Sequence, residues 1–447
     1  MRRLKYILLL SLLVAKAGMV SSQDYVRMGE RTILGTARYV GMSGAMTAIG
    51  GDPSASMDNP AGLGLYRRSE AMISFDHGWD RTWQNNIQSS SVRTNRFVPS
   101  QASLVITIGP FSNREEGVVF NNLMISYRRL HSYYRGLSAV GGNSASLGAL
   151  MATAGMTNKL KYCTDDMNQY NELNLSERGM VNEFAVDWGM NISNRWYAGV
   201  GVHVQSYSMS ADADYLERFN RRNEQGVQLD NENNTWLNYA GAGCNLTVGM
   251  IYRPVSWVRL GFSLQTPTLG SLNIYSEGTF SSQTDSLRTF SPGRVVSPVR
   301  NFHMPLRTST SLAFQCGYYG MLAFQYDFCH QPKEKDIHTL RAGLEIVPVP
   351  GLYINAGYAY ESTFNKNNAT VQVDPILDRL DTYFQRLRFT QYASAAIGYR
   401  GTHVIIQAAY QYRWQGLDLY AHENAQPYTM NTDTHRLVLT FGWHRGW

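Results

Sequence analysis

The residues that could do chemistry are scattered. Ten histidines fall along the 447 residues without an H-x-x-x-H or H-E-x-x-H spacing, so neither a zinc site nor axial haem ligation is indicated. No G-x-S-x-G occurs; Gly41-Met42-Ser43-Gly44 departs from it. Asp52, Ser54, Ser56 and Asp58 repeat at the spacing that opens a calcium loop, but Leu63 stands where the closing acid belongs. Turn residues capping local backbone explain the same pattern. No catalytic residue, metal or cofactor is expected, and the chain is not expected to be an enzyme. What remains is a set of charged groups that alternation places on one side of their strands: Glu183, Asp187, His203, Arg259, Asp327, Arg341, Glu345, Arg400 and Arg413. Such groups can satisfy one another and hold protein packed against them. A buried arginine among them can instead grip a substrate carboxylate with two parallel hydrogen bonds. Both uses stay open. His203, beside Gln205, reads as a lining group rather than a base.

The elements that must position these groups are strands. Leu340, Ala342, Leu344 and Ile346 fall on one face, with Thr339, Arg341, Gly343 and Glu345 on the other. Phe184, Val186, Trp188 and Met190 alternate with Glu183, Asp187 and Asn191 in the same way. A helix would scatter these sets around its circumference. About fourteen such segments are predicted, at 71–77, 101–109, 118–128, 182–192, 196–208, 236–252, 257–267, 305–316, 319–329, 338–347, 352–361, 389–400, 402–414 and 434–445. The third is interrupted by Asn121-Asn122, which a kink or a one-residue bulge would explain.

Tight turns near 191–195, 253–256, 317–318, 348–351 and 401 alternate with long loops near 78–100, 129–181, 209–235, 268–304, 362–388 and 415–433. A transmembrane antiparallel β-barrel does this, because its strands run alternately up and down between short inner turns and long outer loops. Trp196 and Trp257 open strands, Trp443 closes the last, and Trp236 and Trp414 sit at opposite strand ends. Two interfacial belts account for that placement, as do ordinary strand-end aromatics. The final strand sets Leu437, Leu439, Phe441 and Trp443 on one face, where closure would pair it with the first.

The N-terminus reads as a secretory signal peptide, residues 1–22. Arg2, Arg3 and Lys5 precede an apolar run from Tyr6 to Ala15, and small residues follow. Four of the formal charges lie in that segment, so the net +6 falls to +2 in the mature chain. That is too small to indicate nucleic acid. A mean hydropathy of −0.29 suits a barrel, half of whose strand residues face water. Cys163, Cys244, Cys316 and Cys329 lack metal spacing and are expected as free or lipid-facing thiols.

Before the strands lies Gly35–Leu63, rich in glycine and alanine, ending in Asn59-Pro60-Ala61-Gly62-Leu63, where Pro60 breaks the chain. Small residues let backbone pack closely inside something else, so residues 23–68 are expected to form a plug and 69–447 the barrel around it. Gly35-Thr36-Ala37-Arg38, Gly44-Ala45, Asp52-Pro53-Ser54-Ala55 and Asn59-Pro60-Ala61-Gly62-Leu63 resemble, in order and spacing, the hatch of long-chain fatty-acid (FadL-type) outer-membrane transporters, a family that includes aromatic-hydrocarbon channels. The resemblance implies passive uptake of hydrophobic small molecules across the outer membrane of a Gram-negative bacterium, by plug rearrangement and lateral exit through the wall. It implies a gate at Asn59, Pro60, Ala61 and Gly62, a kinked third strand, and partners limited to an apolar ligand, outer-membrane lipids and the barrel-assembly machinery, with the chain monomeric. Tyr133, Tyr134, Leu137, Leu147 and Leu150 are the candidates for an outer capture groove; a helix packed over the mouth would use the same residues. The alternatives are a non-transporting barrel that docks a secretion or surface complex, and a lipid enzyme, for which no Ser/His motif exists.

Overall fold

The computed structural model describes residues 28–84, 96–109, 116–153, 168–222, 226, 228–283, 287–330, 336–363 and 380–444; the predicted signal peptide and Cys163 lie outside them. Among the described residues ahead of the strands lie two short helices, α1 (Ala37–Gly41) and α2 (Pro53–Asp58), and a 3-10 turn (Pro60–Leu65). Then come β1 (Glu70–Gln84), β2 (Arg96–Ile108), β3 (Val118–Ser132), β4 (Arg135–Gly141), helix α3 (Leu147–Thr153), β5 (Tyr170–Ile192), β6 (Trp196–Arg222) and β7 (Gln228–Val255). They are followed by β8 (Val258–Gln265), β9 (Leu269–Gln283), β10 (Leu287–Phe290), β11 (Val295–His303), β12 (Leu306–Gln315) and β13 (Gly320–His330). The last are β14 (Ile337–Val349), β15 (Leu352–Thr363), β16 (Phe384–Arg400), β17 (Val404–Tyr420) and β18 (Tyr428–His444).

These eighteen strands make one antiparallel sheet. β4 prolongs β3 along β5, and β9 prolongs β8 along β7. β11 prolongs β12 along β9, while β10 folds back on β9. The wall is therefore a barrel of fourteen staves, closed where β18 pairs with β1 from Glu70↔His444 to Gln84↔Met430. Each predicted segment falls in its own stave. Among the described residues no helix is long and apolar enough to cross a membrane.

The predicted long loops are in large part strand. β5, β6, β7 and β9 rise well beyond the predicted ends as a tall wall on one side. The alternation continues through these extensions but its sense inverts. In β6, Val200, Val202 and Val204 face out while His203 and Gln205 face in. Above Ser206 the outer face carries Ser208, Ser210, Asp212 and Asp214, and the inner face carries Tyr207, Met209, Ala211, Ala213 and Tyr215. The neighbouring strands invert at the same level, since Asn182, Ser206 and Ala242 are register partners across β5–β6–β7. That row marks the outer membrane–water boundary. Ten residues of tilted strand below it, Trp196 forms the other, a span of about 25 Å.

Two expectations need correction. Trp236 is six residues beyond Ala242, under the guanidinium of Arg294 at 5.5 Å, so it stands above the membrane rather than in a belt. Trp414, in edge contact with Phe389, does lie at the outer boundary, and Trp196, Trp257 and Trp443 are exposed at the inner one. The Asn121-Asn122 interruption is neither kink nor bulge. Both residues pair regularly with β2 and β5, and Asn122 points inward to bind the segment inside. The one-residue bulges lie at Val119 and Leu130, with another at Ser100 in β2.

Inversion gives two substitutions of one kind opposite fates. Val202→Lys, in mid-span, should cost about 2–4 kcal/mol of barrel stability, while Asp212→Lys, above the boundary, should change it by less than about 0.5 kcal/mol. Urea titration of folded protein in detergent vesicles, read as the heat-modifiable gel shift, measures both.

Candidate functional site

Residues 28–66 lie inside the barrel and are almost wholly buried. Their closest approach to the wall is through backbone, made possible by a row of inward glycines. Gly189, Gly199 and Gly249 are register partners across β5–β6–β7. A Cβ on Gly199 would sit 2.3 Å from the Pro60 carbonyl carbon, and one on Gly249 would lie 1.8 Å from Asn59 Oδ1. On the opposite wall the paired Gly343 and Gly357 receive Met42, whose carbonyl carbon would be 2.3 Å from a Cβ on Gly357. The predicted gate, Asn59, Pro60, Ala61 and Gly62, is thus seated against β5–β7. Strand pairing there is unbroken. Asn59 caps the 3-10 turn through Ala61 N (3.1 Å) and donates to Thr47 O (2.8 Å). Asp52 serves as the N-cap of α2, accepting from Ser54 N at 2.9 Å and from Thr36 Oγ1 at 2.7 Å, which is the capping role open to the calcium-like spacing.

Side chains complete the seat. Arg38 donates to both oxygens of Glu345, at 2.6 and 2.9 Å. Arg259 Nη1 reaches Ile49 O at 2.9 Å, and Arg341 pairs with Asp327 at 2.7 Å while facing Tyr39 and Gly44. Arg128, buried, bridges Asp58 of the segment (2.9 Å) and Glu183 of the wall (3.1 Å). His203 Nε2 lies 2.9 Å from Asp187 Oδ1, and its Nδ1 lies 3.5 Å from Glu183. Arg413 donates to Thr434 Oγ1 at 3.1 Å. Arg400 belongs elsewhere: it pairs with Glu70 at 2.7 Å at the inner rim with 42% of its side chain exposed, so it does not line the lumen proper. The sequence reading missed Arg128, which regular alternation places inward with Asn122, Met124 and Ser126 at the very end of the predicted third segment; the bulge at Leu130 then turns Arg129 and Leu130 inward as well. The bulge at Ser100 likewise aims both Ser100 and Gln101 at the segment, where Gln101 accepts from Ser54.

Above this lattice lies a chamber of about 90 Å³, room for a few waters. Arg31, Arg128, Arg307, Arg341, Asp58, Asp327 and Glu361 give it charge; Ile33, Leu130, Phe328 and Ile337 supply an apolar side. Higher still, the outer third of the lumen is filled by the largest apolar cluster, including Tyr207, Met209, Leu237, Tyr239, Phe280 and Phe302. The predicted capture residues are part of it or border it. Tyr133, Leu137 and Leu147 are buried in the cluster, Leu150 packs against it, and Tyr134 is half-buried, so the five do not line an exposed groove. Leu147 and Leu150 belong to α3, the alternative of a helix over the mouth.

The mouth is tied by Glu217, on the β6 extension. Its buried carboxylate accepts from Leu147 N, Ser146, Asn168, Tyr215 and Asn231 at 2.8–3.2 Å. Burial pushes this carboxyl above its ordinary range, against those hydrogen bonds. Burial also holds His422 down to about 4, so the neutral ring donates Nε2–H to Ala145 O at 3.0 Å rather than ion-pairing with Glu217. No sequence signal marked Glu217, which falls in a predicted loop.

No protein-family model and no curated protein matches the sequence. Solved structures do. A Pseudomonas aeruginosa FadL homologue superposes with a TM-score of 0.58 at 11% identity, covering 94% of this chain and 99% of its own. The Ralstonia pickettii toluene transporter TbuX gives 0.56 at 13% identity, covering 93% and 99%. The Pseudomonas putida toluene transporter TodX gives 0.55 at 12% identity, with the same coverage. The fold is FadL-type.

In this FadL-type barrel the inner segment is held by close packing and by paired charge, and each can be tested. Gly199→Ala should push Pro60 off the wall, raising the flux of small polar solutes in a liposome-swelling assay with the barrel still folded. Arg38→Met strands Glu345 without its partner and should cost about 3 kcal/mol; adding Glu345→Met should recover much of that loss in urea midpoint.

Proposed function

We propose that the protein is an outer-membrane channel for passive uptake of hydrophobic small molecules, long-chain fatty acids or similar compounds. The single observation that carries this reading is the inversion of the lumen, which sets an apolar interior directly above the membrane surface and a polar, segment-filled one below it. An apolar solute gains by leaving water for that interior, at about 25 cal/mol per Å² of apolar surface. A plugged lower half excludes polar solutes. The solute then passes the chamber when the Asn59–Gly62 turn shifts on its glycine seat, and leaves sideways through the wall into the membrane. No cofactor or energy source enters; a gradient and a downstream sink suffice. The FadL-type fold and the toluene transporters that share it support the solute class. The partners are the ligand and membrane lipids, with assembly machinery needed only during biogenesis, and the channel acts as a monomer.

One observation favours the rival docking role. The described lumen is closed at both levels, as a non-transporting platform would have it. A tethered variant separates the two. Ser43 Oγ and Ser394 Oγ lie 3.1 Å apart across the segment–wall contact, so Ser43→Cys with Ser394→Cys should form a disulfide that locks the segment. In a deletion strain, wild type and the reduced variant should restore uptake of labelled oleate or toluene, and the oxidised variant should not. Uptake indifferent to deletion, with a stable partner on pull-down, would establish the docking role instead.

A further inference from the structure

Three arginines gather outside the lumen, at the inner rim, and meet no acid there. Arg67 follows directly on the inner segment, Arg195 lies in the β5–β6 turn, and Arg253 sits at the inner end of β7. Arg253 N donates to Arg195 O at 2.8 Å, and Arg67 Nη2 donates to Asn194 Oδ1 at 2.8 Å, so the three surround one turn. Arg67 also lies over the Phe120 ring at 4.5 Å, and Arg253 gives Nε and Nη2 to Ser256 O at 3.3 and 3.0 Å. Arg195 is exposed. Among the described residues none of the three forms an ion pair. Glu70, the buried acid of this rim, is taken by Arg400 at 2.7 Å, and Glu116 is exposed and pairs with none of them.

Their depth decides what faces them. Trp196, next to Arg195, is exposed on the lipid face and stacks on its register partner Tyr252, next to Arg253, with ring centroids 4.0 Å apart. Trp257 is exposed beside the neighbouring turn. Such rings settle at the headgroup level, and long arginine side chains one residue beyond them reach the phosphates. The other boundary of the same strands lacks this arrangement. There the outward row Met180, Ser208 and Ala240, in register across β5–β6–β7, carries no charge. A guanidinium offers a phosphate two parallel donors, and basic clusters at a membrane surface draw in anionic headgroups.

We propose that Arg67, Arg195 and Arg253 form a binding site for the headgroup phosphate of an anionic phospholipid in the inner leaflet, with the Trp196–Tyr252 stack against its glycerol and upper acyl chains. Arg67 continues from the 3-10 turn through Tyr66, its C-cap, so the bound lipid ties the end of the inner segment to the β5–β6 and β7–β8 turns. The site requires only that the barrel span a membrane, and does not depend on what the barrel carries.

Native mass spectrometry of the full-length barrel tests this, with phosphatidylglycerol and phosphatidylcholine of matched acyl chains added in turn. Wild type should retain phosphatidylglycerol about tenfold more strongly than phosphatidylcholine. Arg195→Gln, which disturbs no side-chain contact of the fold, should lower that preference, and Arg67→Gln with Arg195→Gln and Arg253→Gln should abolish it. Unchanged phosphatidylcholine retention and an unchanged heat-modifiable gel shift show that the variants are folded. Lysine at the same three positions should return most of the preference, which a merely structural role of the arginines would not do. Arg178→Gln, on the outer extension, should leave it untouched. Equal retention of the two lipids by wild type, or a preference that survives the triple glutamine variant, overturns the inference and leaves the arginines to a water-soluble acidic partner. Displacement of phosphatidylglycerol by millimolar inorganic phosphate overturns it in favour of a free-phosphate site. Neither result touches the transport reading, which the uptake assay decides separately.

Discussion

Hydrocarbon offers no hydrogen bond to a peptide group, so a sheet in a membrane cannot keep an open edge. The pairing of β18 with β1 is the contact that meets this constraint, and everything inside the molecule follows from it. Closure creates a lumen. A fourteen-stave lumen is too wide for wall side chains alone to fill. The N-terminal segment fills its lower part, and because that segment has little regular structure, the wall must supply partners for its backbone. Thr440 accepts from Ala37 N, Gln325 from Thr47 N, and Asn122 donates to Leu63 O.

The same membrane decides where the interior is wet and where it is dry. Within the bilayer the outer face must be apolar, so the polar half of each alternating strand is turned inward, where it serves the segment. Above the boundary the outer face meets water, and alternation without a change of period turns the apolar half inward. One strand, β6, does both, passing from His203 and Gln205 to Tyr207 and Met209 in four residues. The plug seat, the chamber and the apolar cap are therefore stacked in an order that the membrane surface imposes. A solute coming from outside meets the apolar layer first and the charged one second.

Close packing and bulges refine that scheme. Glycines in register, such as Gly189, Gly199 and Gly249, remove side chains where the backbone of the Asn59–Ala61 turn needs contact. Bulges do the converse at Ser100 and Leu130, adding an inward side chain that strict alternation would have sent to lipid. Arg129 owes its inward turn toward Asp76 to such a bulge, directly beside Arg128, which alternation alone sets between Asp58 and Glu183.

Period and composition were enough to read the staves, their number, their lipid-facing sides and the small-residue segment within them, because each depends on residues close in sequence. Leu340, Leu344 and Ile346 face lipid, and Glu345 and Arg341 face in, as a period of two requires. The pairing of those inward charges was not legible, since Arg38 and Glu345 are 307 residues apart and register across the barrel brings them together. Nor was the rise of β5–β7 above the membrane. There the alternation persists but polar residues such as Asp212 and Asp214 on the outer face read as loop. Glu217 escaped for the same reason. Local pattern says which side of a strand a residue takes, whereas only the closed barrel, with its register, bulges and water boundary, decides what that side faces.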